Sequence, residues 1–134
     1  MPVTALETGL YTKLSGNADL ITALGGTAIY NKQAPQSPGT KYVIFQWQGG
    51  GDENESPNRM RNVVYTVKAI AQGQATAAAI DTKIDAALHD QTLTVSGYTN
   101  IWLAREDDVN FTEQDSSGVT WFHVGGIYRI IIDE

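Results

Sequence analysis

The sequence contains no cysteine among its 134 residues. This absence excludes a disulfide framework, a thiolate zinc site and a cysteine nucleophile, and it is compatible with a reducing compartment. Basic residues are also few, because nine Lys and Arg face fifteen Asp and Glu and leave a net charge of −6. That sign is wrong for a protein whose main task is to bind phosphates, so sequence-specific nucleic-acid recognition is not expected.

Long apolar runs are absent as well. No stretch approaches the roughly 20 apolar residues of a membrane-spanning helix, and residues 1–7 lack the features of a secretory signal. We therefore expect a soluble protein that is not exported by itself and has no membrane partner. Because 42% of the residues are hydrophobic, a chain of this length can bury a core, and we expect a single domain over residues 1–134.

Three segments predict helices. Thr4 and Glu7 form a capping-box pattern ahead of a leucine stripe that ends at Ser15-Gly16. Asn17 is a candidate N-cap for a short second helix, which the Gly25-Gly26 pair stops. Residues 74–89 are alanine-rich and carry one apolar stripe. The stripe residues are Leu6, Leu10 and Leu14 in the first helix, and Ala77, Ile80, Ile84 and Leu88 in the last.

Four longer segments predict strands because they are rich in β-branched and aromatic residues. They cover residues 42–47, 63–71, 99–106 with continuation toward Phe111, and 119–132; shorter strands are predicted at residues 29–30 and 93–95. The predicted fold is α+β: a mostly antiparallel sheet of about four strands, with two N-terminal helices and one alanine-rich helix packed mainly on one face.

The segment between the first two long strands has no periodicity. It combines three consecutive glycines with three acids, and we predict a flexible loop over residues 49–62 that is ordered only against a partner. Its loop residues are Gly49, Gly50, Gly51, Asp52, Glu53, Glu55 and Arg59.

The last strand carries large apolar groups on both faces, which predicts that both faces are covered. The helices are too few to cover both, so we expect another subunit to close part of one face. The sequence does not identify that face. The partner-contact candidates are Trp121, Ile127 and Ile131 on one side, or Tyr128 and Ile130 on the other.

Candidate chemical groups have simpler structural interpretations. His89 with Asp85 and Asp81 could line up as metal ligands, but a helix C-terminus and solvated aspartates explain them better. His123 near Asp115, Ser116 and Ser117 lacks the surroundings of a catalytic triad.

Two further motifs also have structural interpretations that require no catalysis or ligand. The acidic residues Glu106, Asp107, Asp108, Glu113 and Asp115 do not form a calcium-loop motif, and we interpret them as solvated. The Gly49–Gly51 cluster lacks the Lys-Ser or Lys-Thr of a phosphate loop. We therefore predict no catalytic residues, no cofactor and no metal site.

The order of segments resembles a known family, the tail completion or tail terminator proteins of long-tailed bacteriophages and prophages. The residues that carry the resemblance span nearly the whole chain. They are Ile29-Tyr30, Ala34-Pro35-Gln36 and Tyr42-Val43-Ile44-Phe45 in the first half, and Ala71, Ala87-Leu88, Gly97, His123-Val124 and Tyr128-Arg129-Ile130 in the second.

The resemblance implies a non-enzymatic structural protein of the virion, at the head-proximal end of the tail and assembled in the host cytoplasm. It implies a hexameric ring that caps the tail tube, with the tail tube protein and the head connector or stopper protein as partners. Two alternatives stay open: another neck or minor tail component, or a small enzyme or ligand-binding domain with a pocket around His123, Trp121 and Trp102.

Overall fold

The computed structural model describes residues 3–37, 39–53 and 60–133. Helices and a single sheet make it an α+β structure, as predicted, but the sheet has five strands instead of about four. In chain order the elements are α1 Val3–Ser15, α2 Ala18–Leu24, β1 Ile29–Asn31, β2 Lys41–Glu53, β3 Met60–Ala71, α3 Gln74–Leu88, β4 Thr99–Gln114 and β5 Thr120–Asp133.

The strands lie in the order β1-β2-β3-β5-β4. All neighbours pair antiparallel except the short β1, which runs parallel to β2 and supplies the fifth strand. The edge strand predicted at residues 93–95 is wrong: Val95 makes only an isolated bridge to Tyr98 across a turn in which Gly97 has φ +81°. Leu93 and Val95 are nevertheless buried, because their apolar side chains pack into the core without a strand ladder.

The helix limits follow local capping chemistry. Asn17 is the N-cap of α2, as predicted, and its side chain accepts a hydrogen bond from the backbone N–H of Leu20 at 3.0 Å. Gly25 ends α2 in the left-handed conformation, also as predicted. The capping box is wrong, because Thr4 lies inside α1, and Glu7 instead accepts hydrogen bonds from Asn31 and Tyr65.

The core lies between the three helices and one face of the sheet. The predicted apolar stripes of α1 and α3 are buried and meet alternating residues of β2, β3 and β5. Because paired residues of antiparallel strands point to the same face, Tyr65 and Tyr128 meet side by side under α3 and are both fully buried. The largest buried sheet residues in this core are Phe45, Tyr65, Tyr128, Ile130 and Ile132.

The prediction of a loop over residues 49–62 is wrong at both ends of that range. Gly49, Gly50, Gly51, Asp52 and Glu53 belong to β2, and residues 60–62 belong to β3. The register shifts between Trp47 and Gly49, and Gly50 has φ +100°. A Cβ at Gly50 would overlap the backbone of Asn62 and Val63, so glycine here permits close pairing at a bulge.

The predicted loop residues Glu55 and Arg59 lie outside the described residues. Among the described residues, none of the helices combines the length and apolar character needed to cross a bilayer.

Candidate functional site

The sheet face opposite the helices is the candidate interaction surface, and we call it the open face. It is formed by alternate residues of the four long strands, which the strand registers place in rows across the sheet. Its main side chains are Tyr42, Ile44 and Gln46 of β2, Val64, Thr66, Lys68 and Ile70 of β3, Trp121, His123, Ile127, Arg129 and Ile131 of β5, and Trp102, Val109, Phe111 and Glu113 of β4.

The structure separates the two sets of partner-contact candidates. Tyr128 and Ile130 are completely buried in the subunit's own core, so they cannot contact a partner without unfolding. Trp121, Ile127 and Ile131 lie on the open face and are each partly exposed. Only this second set remains available, and its role as a contact stays a prediction.

Large apolar side chains remain exposed on the open face. Trp102 is 50% exposed and Phe111 is 44% exposed. Trp102 pairs with Ile131 and Phe111 pairs with His123, so these two aromatic groups mark opposite ends of the face. Exposed aromatic groups on an otherwise unpartnered face are typical of a protein contact surface.

Charged and aromatic groups cluster around His123 at one end of the open face. The Nε2 of His123 lies 2.6 Å from Oε1 of Glu113, and the imidazole stacks on Phe111 with ring centroids 4.3 Å apart. Burial and the nearby Lys68 lower the pKa of His123, and its contact with Glu113 offsets this only in part. His123 is therefore a buried neutral histidine that donates to a carboxylate.

An aromatic row continues from this cluster toward β1. The ring centroids of Tyr42 and Trp121 lie 5.9 Å apart, and those of Tyr30 and Tyr42 lie 6.1 Å apart, in tilted arrangements. Burial, followed by the charge of Glu113, raises the pKa of Tyr42. Its hydroxyl therefore remains a neutral donor across the physiological range.

Asp115, Ser116 and Ser117, which are the triad candidates alongside His123, lie in the turn between β4 and β5. Asp115 accepts hydrogen bonds from the Trp121 indole, the Ser117 hydroxyl and the backbone N–H groups of Ser117 and Val119. The Trp121 and Ser117 contacts lead in lowering the pKa of Asp115 to about 2. Ser117 is thus engaged in an acidic turn, while His123 binds Glu113, so these residues do not form a nucleophilic arrangement.

The aspartates of α3 form a different cluster, on the helix side of the sheet. Arg105 makes a two-pronged contact with Asp81, at 2.8 and 3.0 Å, and lies 3.9 Å from Asp85. The same guanidinium donates to the Tyr128 hydroxyl and to the Gly125 carbonyl oxygen. Burial alone would lower the pKa of Arg105, but the hydrogen bonds that it donates to Asp81 and Tyr128 outweigh burial and raise the pKa.

This cluster corrects one interpretation and supports another. Asp81 is a largely buried partner of Arg105, with a side chain only 13% exposed, and is not fully solvated as expected. His89 caps the C-terminus of α3, and its Nδ1 accepts a hydrogen bond from the backbone N–H of Arg105. In the described ranges, no group of three or more His, Asp or Glu residues is arranged to hold a metal ion.

The acidic patch of β4 is exposed but partly paired. Glu106 binds Arg129 at 2.8 Å, and Asp108 binds Arg105 at 2.9 Å. Asp107 is also exposed, and its carboxylate accepts from the backbone N–H of Asp108. The patch is thus a solvated strand surface, as expected, with two carboxylates held by arginines.

The pocket suggested around His123, Trp121 and Trp102 is not formed as predicted. Trp102 pairs with Ile131, eight residues along β5 from His123, which corresponds to about 27 Å of strand. Sequence reasoning also missed Lys68 and Arg105. Their strand neighbours Gly125 and Gly126 carry the available signal, because glycine in a strand marks a close approach.

The comparisons with known proteins include one family match and two structural matches. A family model described as "Tail completion protein gp17" matches residues 8–133. A solved structure described as "Virion of native gene transfer agent (GTA) particle" matches with a TM-score of 0.80 at 22% identity, covering 98% of this chain and 97% of that chain.

A second solved structure shares the fold at a TM-score of 0.58 and 10% identity, covering 96% of this chain and 94% of the other. No curated protein sequence gives a significant match. Because the family model spans nearly the whole chain, the chain belongs to the tail completion protein gp17 family.

Proposed function

We propose that this protein caps the tail tube of a phage or prophage and joins the tail to the head connector, as a hexameric ring. As a member of the tail completion family, the chain is a component of the virion tail. Family membership is the observation that carries the proposal. The tail tube protein and the head connector or stopper protein are the proposed partners.

The open face supports a contact between copies. Ile127 and Ile131 are partly exposed in the centre and at one end of a long sheet, and Trp121 lies at the other end. Complete burial of a large apolar side chain is worth about 1.5–3 kcal/mol, and a contact here would gain the part that is still exposed. If the open face of one copy meets a different surface of the next, the contact is heterologous, and such contacts form a ring when the rotation between copies closes.

The charge balance supports a role beside a DNA channel. The net charge of −6 disfavours tight binding of duplex DNA, since a strongly basic lining would retain phosphates. DNA that passes through a ring of this protein would therefore slide with little retention. A structural role of this kind requires no catalytic step, and we propose that the protein is not an enzyme.

Deleting the gene tests the proposal. Electron microscopy of the lysate should then show filled heads separate from tails, and tails of abnormal length. Complementation with the wild-type gene is the control and should restore joined particles. Normal numbers of joined, infectious virions from the deletion strain would contradict the proposal.

A further inference from the structure

A polar cleft of about 210 Å³ lies at the His123 end of the open face. The cleft is lined by the turn after β1 and by side chains from the four long strands. The polar side chains of the cleft are Lys32, Gln33, Tyr42, Gln46, Lys68, Glu113 and His123. Cations outnumber anions in this lining, because two lysines, Lys32 and Lys68, stand against one carboxylate, that of Glu113.

Lys68 is one of the two cations that line the cleft. Gly125, its pair on β5, has no side chain, and Lys68 extends across β5 until its Nζ lies 5.0 Å from the ring centroid of Phe111 on β4. Burial lowers the pKa of Lys68, and the charge of Glu113 opposes this only in part. Within the described residues, Lys68 has no carboxylate at ion-pair distance, so its charge is incompletely compensated.

Glu113 compensates the charge of Lys68 only in part, because it contacts His123 and lies beyond ion-pair distance from Lys68. Its carboxylate accepts from Nε2 of His123 at 2.6 Å. The other ring nitrogen, Nδ1, is buried and has no hydrogen-bond partner within the described residues, although the side chain is 5% exposed. In this tautomer Nδ1 is an unused acceptor, and it can donate to a carboxylate only when His123 takes up a proton.

Lys32 brings a second cation to the cleft. Its backbone has φ +69°, an uncommon conformation for a residue other than glycine, and its N–H donates to the Phe45 carbonyl oxygen at 2.9 Å. The backbone bond to β2 fixes the turn that presents Lys32 at the cleft. Two lysines thus line one small cavity in a protein whose overall charge is −6.

We propose that this cleft binds a carboxylate, presented by an acidic side chain of a neighbouring protein. The carboxylate oxygens would accept hydrogen bonds from the ammonium groups of Lys68 and Lys32. The volume is below the ~300–1,000 Å³ typical of pockets that enclose small molecules, and it suits a single side chain. The inference rests on the proposed function for the identity of the neighbour, which is a protein of the same tail assembly.

Two small probes test the chemistry on the isolated protein. N-acetyl-glutamate amide carries the carboxylate, and N-acetyl-glutamine amide is its uncharged match. The chain has two histidines, so side-chain NMR signals of His123 are simple to follow, and His89 on the helix side is the internal control. The glutamate probe should shift the His123 signals and move its titration midpoint to higher pH, because a nearby anion favours the imidazolium.

Four titratable groups besides His123 can influence how its NMR signals change with pH. Tyr42 of β2, Lys68 of β3, Glu113 of β4 and Lys32 of the turn all face the cleft. Lys68→Met keeps the length of the side chain and removes its charge, and it should weaken binding of the glutamate probe at least about tenfold. If this variant loses its circular dichroism spectrum, Lys32→Met replaces it with the same expectation. Equal response to both probes, no response to the glutamate probe, or unchanged binding by the folded variant overturns the inference.

Inorganic phosphate is the third probe. A His123 response to phosphate as strong as that to the carboxylate would assign the cleft to phosphate groups, such as those of nucleic acid, and would overturn the inference. The source of the carboxylate is then identified with Lys68→Met. Reduced self-association in sedimentation velocity identifies a second copy, whereas unchanged self-association with reduced incorporation into tails identifies another virion protein.

If the variant is unaffected in both assays, no neighbour inserts a carboxylate, and the inference fails even if the gene deletion abolishes head-tail joining. Conversely, probe binding is measured without virions. A normal virion from the deletion strain would therefore refute the proposed function while leaving the chemistry of the cleft intact.

Discussion

Arg105 shows how one side chain connects a helix to the sheet. Its guanidinium binds Asp81 of α3 and the hydroxyl of Tyr128 of β5, and its side chain is only 15% exposed. Gly126 leaves the space that the guanidinium occupies, since a Cβ there would lie 2.7 Å from Cζ of Arg105. Removal of Arg105 would therefore leave a buried carboxylate without its cation.

Arg105→Met should lower the free energy of unfolding by about 3 kcal/mol, because Asp81 would remain buried and unpaired. Asp108→Asn is the matched control, since Asp108 binds the same guanidinium but its side chain is 84% exposed. That change should cost less than about 1 kcal/mol. Urea denaturation measures both values, and equal losses in the two variants would contradict the importance of the buried contact.

His123 predicts a pH-dependent stability. Its pKa is lowered in the folded state, chiefly by burial, so the unfolded chain binds the proton more tightly. The contribution is complete above about pH 6.5, the ordinary histidine value, and it is lost as the pH falls below that value. Denaturation between pH 7.5 and 5.5 should show declining stability in the wild type and a smaller decline in His123→Gln. A parallel decline in both proteins would refute this origin.

At the scale of elements, glycine has two different roles in the long strands. Gly125 of β5 faces Lys68, and a Cβ there would overlap the Cα of Lys68 and the carbonyl oxygen of Val67. Gly51 of β2 has open space around the position of a Cβ. The first glycine is required by close strand packing, whereas the second is not.

Gly125→Ala should therefore lower stability by about 2 kcal/mol, since β3 and β5 would have to separate locally. Gly51→Ala should change it by less than about 0.5 kcal/mol. Thermal unfolding followed by circular dichroism compares the two variants. Similar melting temperatures for both would contradict the packing role of Gly125.

The same glycines limit what the sequence predicts. The helices, the N-cap at Asn17 and the core residues followed from periodicity and capping, because these depend on neighbours close in sequence. The strand at Gly49–Gly51 did not, since Gly50 is explained by the close approach of β3, which only the folded sheet reveals. Likewise, the contact of Arg105 with Asp81 joins residues 24 positions apart and has no local signal.

On the scale of the whole molecule, the two faces of β5 differ in their environment. Ile130 lies in the core and is fully buried, whereas Ile127 lies on the open face. The sequence predicted two apolar faces but could not tell them apart. Alternate residues of a strand point to opposite faces, and this pattern does not say which face packs against the helices. The position of the three helices on one face makes the distinction.

Ile130→Asp should unfold the protein, because an unpaired carboxylate in this core costs several kcal/mol. Ile127→Asp should leave a folded protein, since the side chain is partly exposed in the free subunit. Circular dichroism of the purified variants measures this difference. Two folded variants, or two unfolded ones, would contradict the assignment of the faces.

The most direct test asks whether the open face holds the tail assembly together. Particles are assembled in cells that make only the Ile127→Asp variant of this protein, and they are examined by electron microscopy. The charged side chain would be buried and unpaired at the contact, so we expect separate heads and tails although the variant is folded. Complementation with the wild-type gene provides the reference frequency of joined particles. Joined particles at the wild-type frequency would contradict a role for the open face in tail completion.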